Sequence, residues 1–549
     1  MDLVLRGATV VDGTGADPRP ADVGIAGGVI AAVGEPGSLS GAVAEGAAEV
    51  DLTGLVLAPG FIDIHTHFDA QVLWDPDLTP SSWHGVTSVL MGNCGFGIAP
   101  TRPAHRDLVA RTLENVEGMS LDALHAGITW DFESFPDYLD TLTAARPRLN
   151  VAAMIGHTPL RLFVVGEEQE RPATAEEIAR MRSLVAEAME AGAFGFASSR
   201  ATSHQGAGGR PVPSRHAERA EFDELASVVG DSGHGIIQVT AGPDLDVDHL
   251  IDVGAATGRP VTFTPLLTGM GAPGAAVKRA DACAATDVWG QTSCRPLVMQ
   301  VTLADPFPFA TMPSFQEILA LPADERAELY ADPAWRDRAR AQAEERWGSR
   351  LAKTDVDETE LPGLAGRTLP DLAAERGSTP FDVMVDTALA EDLRTRFRVV
   401  LANDDEHELA ELLRHPRVLV GLSDAGAHAS QLCDACFSTH LLEHWVRETG
   451  HLTLAEAVHR LTGQPAAFLG LADRGRIAPG LAADLVAFDP ETVGVGAMER
   501  VYDLPAGADR LVAHSVGIVH VWVNGQAVRE DSADLDVDVR PGVVLRSGR

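Results

Sequence analysis

Apolar and polar positions fall into three regimes along the chain. Over residues 1–57, short apolar runs (Leu3-Val-Leu, Thr9-Val-Val, Val23-Gly-Ile, Val29-Ile-Ala-Ala-Val) alternate with Gly and Asp turns such as Asp12-Gly13 and Gly27-Gly28. That is the pattern of a small antiparallel sheet. It returns at the far end in Gly480–Phe488 and Gly517–Gln526, where Asn524-Gly525 marks a hairpin. Between the ends, strand-like runs alternate with helical ones, among them Ala175–Ala191 and Arg219–Gly230. Such alternation favours a parallel sheet. Residues 268–380 exceed an ordinary connection yet keep apolar periodicity, with a strand expected at Arg295–Thr302 and a charged helical block at Ser314–Trp347. They predict a lid or an oligomer arm.

Composition narrows the classes. A chain of 549 residues, 45% apolar and 22% charged, is globular, with room for one large domain and a smaller one. Its net charge of −36 argues against nucleic acid or anionic membrane as a partner. No apolar run approaches ~18 residues and no basic n-region opens the chain, so neither a membrane span nor a signal peptide is expected. Five cysteines, an odd number, read as free thiols in a reducing compartment, and the expected location is cytoplasmic. A homo-oligomer stays open.

The chemistry begins where the run Leu55–Ile64 ends in His65-Thr-His67. The run predicts a buried strand, and side chains two apart on a strand share a face. His65 and His67 therefore project together from its C-terminal end, half of a divalent-metal site. For a bare His-x-His, two solvated histidines are the commoner outcome. Here Asp69 and Gln71–Trp74 follow, and a second strand delivers Met91-Gly-Asn-Cys94-Gly95.

Residues 58–100, APGFIDIHTHFDAQVLWDPDLTPSSWHGVTSVLMGNCGFGIAP, resemble the amidohydrolase superfamily, and within it the N-acyl-D-amino-acid deacylase (D-aminoacylase) branch. The resemblance implies an α/β fold, a (β/α)8 TIM-like barrel plus a small β-sandwich built from both chain termini. The division would be 1–57, 58–474 and 475–549. With boundaries set partly by that resemblance, eight barrel strands are expected: Gly60–His65, Val86–Met91, Val151–Ile155, Phe194–Ser198, Gly235–Val239, Val261–Thr264, Phe397–Ala402 and Val418–Ser423. Active sites of such barrels lie at the strands' C-terminal ends.

The resemblance also implies roles. Cys94, in the family's GNCG motif, takes the place of the carboxylated lysine of other amidohydrolases. A thiolate beside imidazoles suits zinc. Asp424, in Leu422-Ser-Asp-Ala-Gly-Ala-His428, matches the acid that ends the eighth strand, takes a proton from the attacking water and returns it to the leaving amine. Its alternative is a helix N-cap. Members with a tightly held second metal carry histidines after strands five and six, where this chain reads Gln238 and Thr264 (or Pro265, by register). Both are poor zinc ligands. The implied site is thus one zinc per chain on His65, His67, Cys94 and Asp424, with Asp424 the loose ligand, because a catalytic zinc keeps one position open.

His157 and Arg161 match a GH-x-x-LR feature of the branch, and His204 follows the fourth strand. With Gln238 and His428 they are candidate substrate contacts, against the ordinary reading of hydrogen-bonded filler. Arg161, Arg200, Arg210 and Arg295 are candidates to grip a substrate carboxylate in a two-pronged contact, Arg200 the best placed. Cys433-Asp-Ala-Cys436 is a lone CxxC in an expected helix, read as core thiols. The expected activity is metal-dependent hydrolysis of an amide C–N bond in a small N-acyl-amino-acid-like, carboxylate-bearing substrate. The rivals are hydrolysis of a cyclic amide, carbamate or lactone, and a binding barrel that has lost hydrolysis.

Overall fold

The computed structural model describes residues 1–39, 46–310, 312–319, 321–535 and 538–548. Eight parallel strands form the barrel: Phe61–Asp63, Val86–Met91, Asn150–Ala153 with its continuation Ile155–Gly156, Gly195–Ser199, Ile236–Thr240, Val261–Thr264, Val288–Thr292 and Val418–Val420. The ring closes between the ends of the eighth and first strands. There the His67 amide donates to Ala425 O at 2.7 Å, and Ser423 Oγ donates to Asp63 Oδ2 at 2.6 Å. The strands are buried on both faces, as helix-covered parallel strands must be. Helices at Ala175–Ala191 and Arg219–Ser232 lie where the periodicity puts them.

The run Leu55–Ile64 is not one strand. Val56–Pro59 belongs to the terminal sheet, pairing with Leu485–Phe488, and only Phe61–Asp63 enters the barrel. Gly60 makes the switch: a Cβ there would lie 2.2 Å from Thr87 side-chain atoms, so only glycine lets the chain pass. The two ends of the chain do join, in one nine-stranded sheet that also contains Leu3–Val10, Arg19–Ala26 and the hairpin Ile518–Val523/Gln526–Glu530.

Phe397–Ala402 is not the seventh barrel strand. Arg396–Ala402 is the middle of a three-stranded antiparallel sheet with Leu297–Val301 and Thr354–Glu358. The seventh strand is Val288–Thr292, whose Trp289, Gly290 and Gln291 break the apolar run that identifies a buried parallel strand. Gly290 is there because a Cβ would meet Leu266 Cδ2 at 2.6 Å. The excursion between strands seven and eight therefore starts after Thr292, later than expected from the pattern, and continues past residue 380 to Ala402. It has its own core, with Phe309, Phe315, Tyr330, Trp335, Trp347 and Phe381 buried together. The expected charged block is the helices Pro313–Gln316, Ala323–Ala331 and Pro333–Leu351, position 320 lying outside the described residues. This unit packs onto the loop after strand eight: the Gln300 amide donates to Gln431 O at 2.7 Å, and Leu432 inserts into its core.

Candidate active site

Four of the residues expected from sequence meet at the C-terminal mouth of the barrel. His65 and His67 follow the first strand, both buried, with ring centroids 5.3 Å apart. Cys94 occupies the tight turn Asn93–Gly95 after strand two, in a left-handed conformation (φ 56°). Its glycine neighbours are required. A Cβ on Gly92 would come 2.3 Å from Met154 O, and one on Gly95 would come 2.7 Å from Ser198 Cα. The turn is thereby pressed between strands three and four. Cys94 Sγ lies 3.4 Å from His65 Nε2, and the ligand atoms of His65, His67 and Cys94 all fall within 4.8 Å of one another. Asp424, after strand eight, sets Oδ1 3.2 Å from His65 Nε2 and 3.7 Å from His67 Nε2.

Those separations fit a tetrahedral zinc, whose N, O and S ligands at about 2.0–2.3 Å stand roughly 3.3–3.6 Å from each other. The surroundings fit as well. His65 Nδ1 is 2.7 Å from Gln291 Oε1, an acceptor that fixes the proton on Nδ1 and leaves Nε2 to face the cluster. His67 Nδ1 is 3.5 Å from the buried Glu117 carboxylate. Neither Gln291 nor Glu117 was expected from sequence. The side chain of Asp424 is 30% exposed, whereas His65 and His67 are at 0% and 3%, so it forms the open side of the cluster. Leu422, Asp424 and His428 all have positive φ (51°, 48°, 49°), so the loop that carries the acid is backbone-strained, a feature that collects at functional sites.

The electrostatics are those of an anionic site. Burial would raise the Cys94 thiol, but the facing His65 and His67 outweigh it and bring it down to about 6. Burial likewise opposes ionisation of Asp424, yet the hydrogen bond from His67 and the charges of His65 and His67 hold it at about 2. The imidazoles move the other way: burial lowers them, while Cys94, Asp424 and, for His67, Glu117 raise them, His67 well above the ordinary histidine value. Burial pushes Glu117 well above the carboxylate range against the pull of His67. A divalent cation would balance the negative charge of Cys94 and Asp424. Asp69, named in the sequence without a role, is buried, accepts from the Gly92 amide at 3.3 Å and is raised by burial to about 6.

Strands five and six contribute support in place of imidazole. Gln238 Oε1 accepts the Cys94 amide at 2.7 Å, and its Nε2 reaches Thr264 Oγ1 at 3.5 Å. His204 lies at the mouth, with Nδ1 2.7 Å from Ser199 Oγ and its ring 5.2 Å from that of Phe96. Burial, then the charges of His67 and His428, hold it down to about 3. His428 is half-buried beside Gly118, its amide donating to Glu117 O, and desolvation lowers it. A cavity of about 220 Å³ opens beside this loop, lined by Gln71, Trp74, Glu114, Gly118 and, from the excursion, Asp305.

The other expected contacts are taken up by protein. His157 is buried with Nδ1 2.8 Å from Ser198 Oγ and Nε2 2.9 Å from Glu221 Oε1. Arg161, fully buried, spends its guanidinium on Glu221 and on the carbonyls of Gln169 and Arg171. Arg200 is paired with Asp244 and donates to Ser214 O, Arg210 pairs with Glu170 at the surface, and Arg295 bridges Asp434 and Cys436 Sγ. None of these four arginines is left to grip a substrate, because each has met a carboxylate distant in sequence. Cys433 and Cys436 are buried, as core thiols should be. Their segment is not the expected helix but a loop tied down by Arg295, with Cys436 capping the short helix Phe437–His440.

Residues 48–529 match the amidohydrolase family. D-aminoacylase of Alcaligenes xylosoxydans xylosoxydans is 32% identical over 546 residues, covering 97% of this chain and 95% of that protein. The structure of N-acyl-D-glutamate deacylase from Bordetella bronchiseptica, complexed with zinc and a phosphonate mimic of the tetrahedral intermediate, superposes with a TM-score of 0.68 at 28% identity, covering 100% of this chain and 99% of the other. A D-aminoacylase structure described by a binuclear metal centre, with one-metal activation and second-metal attenuation, gives 0.68 at 29% identity over 99% of both chains. The chain belongs to the amidohydrolase family.

Proposed function

We propose that the protein is a zinc-dependent deacylase that hydrolyses the amide bond of N-acyl amino acids, with one zinc held per chain. The observation that carries this reading is the convergence of His65, His67 and Cys94 within 4.8 Å, with the Asp424 carboxylate on the open side. When bound, zinc supplies the Lewis acidity that polarises the scissile carbonyl and acidifies water. Asp424 takes the proton of the attacking water and delivers it to the leaving nitrogen. Its depressed pKa keeps it ionised and ready to accept. Gln291 and Glu117 hold the two imidazole rings in orientation.

A single metal is favoured because the side chains at the ends of strands five and six are already engaged, Gln238 with the Cys94 amide and Thr264 with Gln238 and Thr240. Among the described residues, His65, His67 and Cys94 are the group of His, Cys, Asp and Glu with metal-ligand spacing. A cytoplasmic location is supported by five free cysteines, all buried. No helix among the described residues is long and apolar enough to cross a membrane.

The test is amine release from a panel of N-acetyl amino acids of both configurations, before and after metal removal. The proposal requires release that disappears with a chelator and returns with zinc. Release that survives complete metal removal would contradict it.

A further inference from the structure

The arginines expected to bind a substrate carboxylate are neutralised, yet a carboxylate-bearing substrate needs a cation at the mouth. After strand four, Arg215 is half-buried and has no carboxylate within 4.0 Å among the described residues. Arg215 sits in the short turn Pro213–His216, within Pro211-Val-Pro-Ser-Arg215. Its backbone is anchored on both sides of strand four's end. Buried Ser214 donates Oγ to Ser199 O at 2.9 Å and accepts Arg200 Nη1 at its carbonyl at 2.7 Å.

The side chain of Arg215 reaches the loop that carries His204. Nη1 donates to His204 O at 3.1 Å, and His204 is the residue whose ring leans on Phe96, two residues beyond Cys94. His204 lies near enough to His67, His428 and Asp424 to feel their charge, and Arg215 acts on it too. Burial and the like charge of Arg200 disfavour the Arg215 cation, with no acid opposing them. A partly desolvated guanidinium that lacks a counter-ion keeps N–H donors beyond the one spent on His204 O for a carboxylate.

We infer that Arg215 is the specificity residue that takes the substrate carboxylate. This rests on the deacylase reading and sharpens it to N-acyl compounds bearing a free carboxylate. The experiment compares wild type, Arg215→Gln and Arg215→Lys, zinc-loaded and checked for metal content, on N-acetyl-D-leucine and N-acetyl-D-leucinamide. Turnover and calorimetric Kd are both measured. Loss of a charged hydrogen-bonded pair should raise KM and Kd for the acid roughly 10- to 100-fold in Arg215→Gln. kcat should stay within a few-fold, values for the amide should not move, and Arg215→Lys should recover part of the loss. Unchanged affinity for the acid, equal losses on acid and amide, or no binding of the acid to wild type would overturn the assignment. Binding that depends on Arg215 without hydrolysis would instead keep the assignment and sink the deacylase reading.

Discussion

The side-chain carbonyl of Gln238, on strand five, accepts the backbone N–H of Cys94, in the turn after strand two, at 2.7 Å across the buried mouth of the barrel. The left-handed turn that presents the thiol is thus held by the residue standing where relatives with a second metal were expected to carry histidine. Gln238→Ala would leave that amide buried without a partner, at a cost of about 1–3 kcal/mol. Thermal unfolding should shift down, and zinc affinity should fall with it, because the turn loses its prop. An unchanged Tm together with unchanged zinc affinity would show that the contact holds nothing.

Cys94→Ala should remove most bound zinc and most activity. Cys433→Ala and Cys436→Ala should keep zinc, since both thiols pack in the core beside Arg295 rather than at the strand ends. Elemental analysis of the three purified variants separates the cases. Loss of zinc in Cys433→Ala would refute the placement.

Zinc affinity should rise steeply with pH through neutrality. The ligands bind deprotonated, and although burial opposes it, the thiolate and carboxylates around His65 and His67 raise both imidazoles, so zinc must displace protons there over a higher pH range than from free histidine. As pH falls through about 6, Cys94 takes a proton as well, so the slope should steepen there. Competition with a chelator of known pH behaviour measures it. An affinity flat between pH 5.5 and 8, a window taken on either side of the histidine range, would contradict these shifts.

Much of the site could be read from sequence because His65, His67, Cys94 and Asp424 each sit in a short motif at the end of a strand. The supporting residues could not. Gln291 lies on a strand whose Trp-Gly-Gln interior conceals it, and the more apolar Phe397–Ala402 was expected in its place. Glu117 looks like a solvent-facing acid at a helix end, and its burial depends on a loop some three hundred residues later, where the His428 amide meets its carbonyl. Arg161 looked like a ligand grip because its partner, Glu221, is 60 positions away. Arg215 escaped notice for the opposite reason: what distinguishes it is the lack of a carboxylate partner among the described residues, which only the fold shows. The split of Leu55–Ile64 at Gly60 is also a matter of contact, with Thr87 leaving no room for a Cβ.

Asp424→Asn keeps size and one oxygen but cannot accept the proton. kcat should fall on the order of 10²–10⁴-fold with KM little changed. Zinc content should fall only modestly, because the side chain is the exposed member of the cluster. Complete loss of zinc in this variant would make Asp424 principally a ligand, with the base elsewhere.

The central claim is a single catalytic zinc on His65, His67 and Cys94, and titration of metal-free protein with zinc tests it most directly. Activity followed against zinc per chain should climb linearly and reach its plateau at one equivalent, with one equivalent retained after exhaustive dialysis. A plateau only at two equivalents, or two retained, would contradict the account.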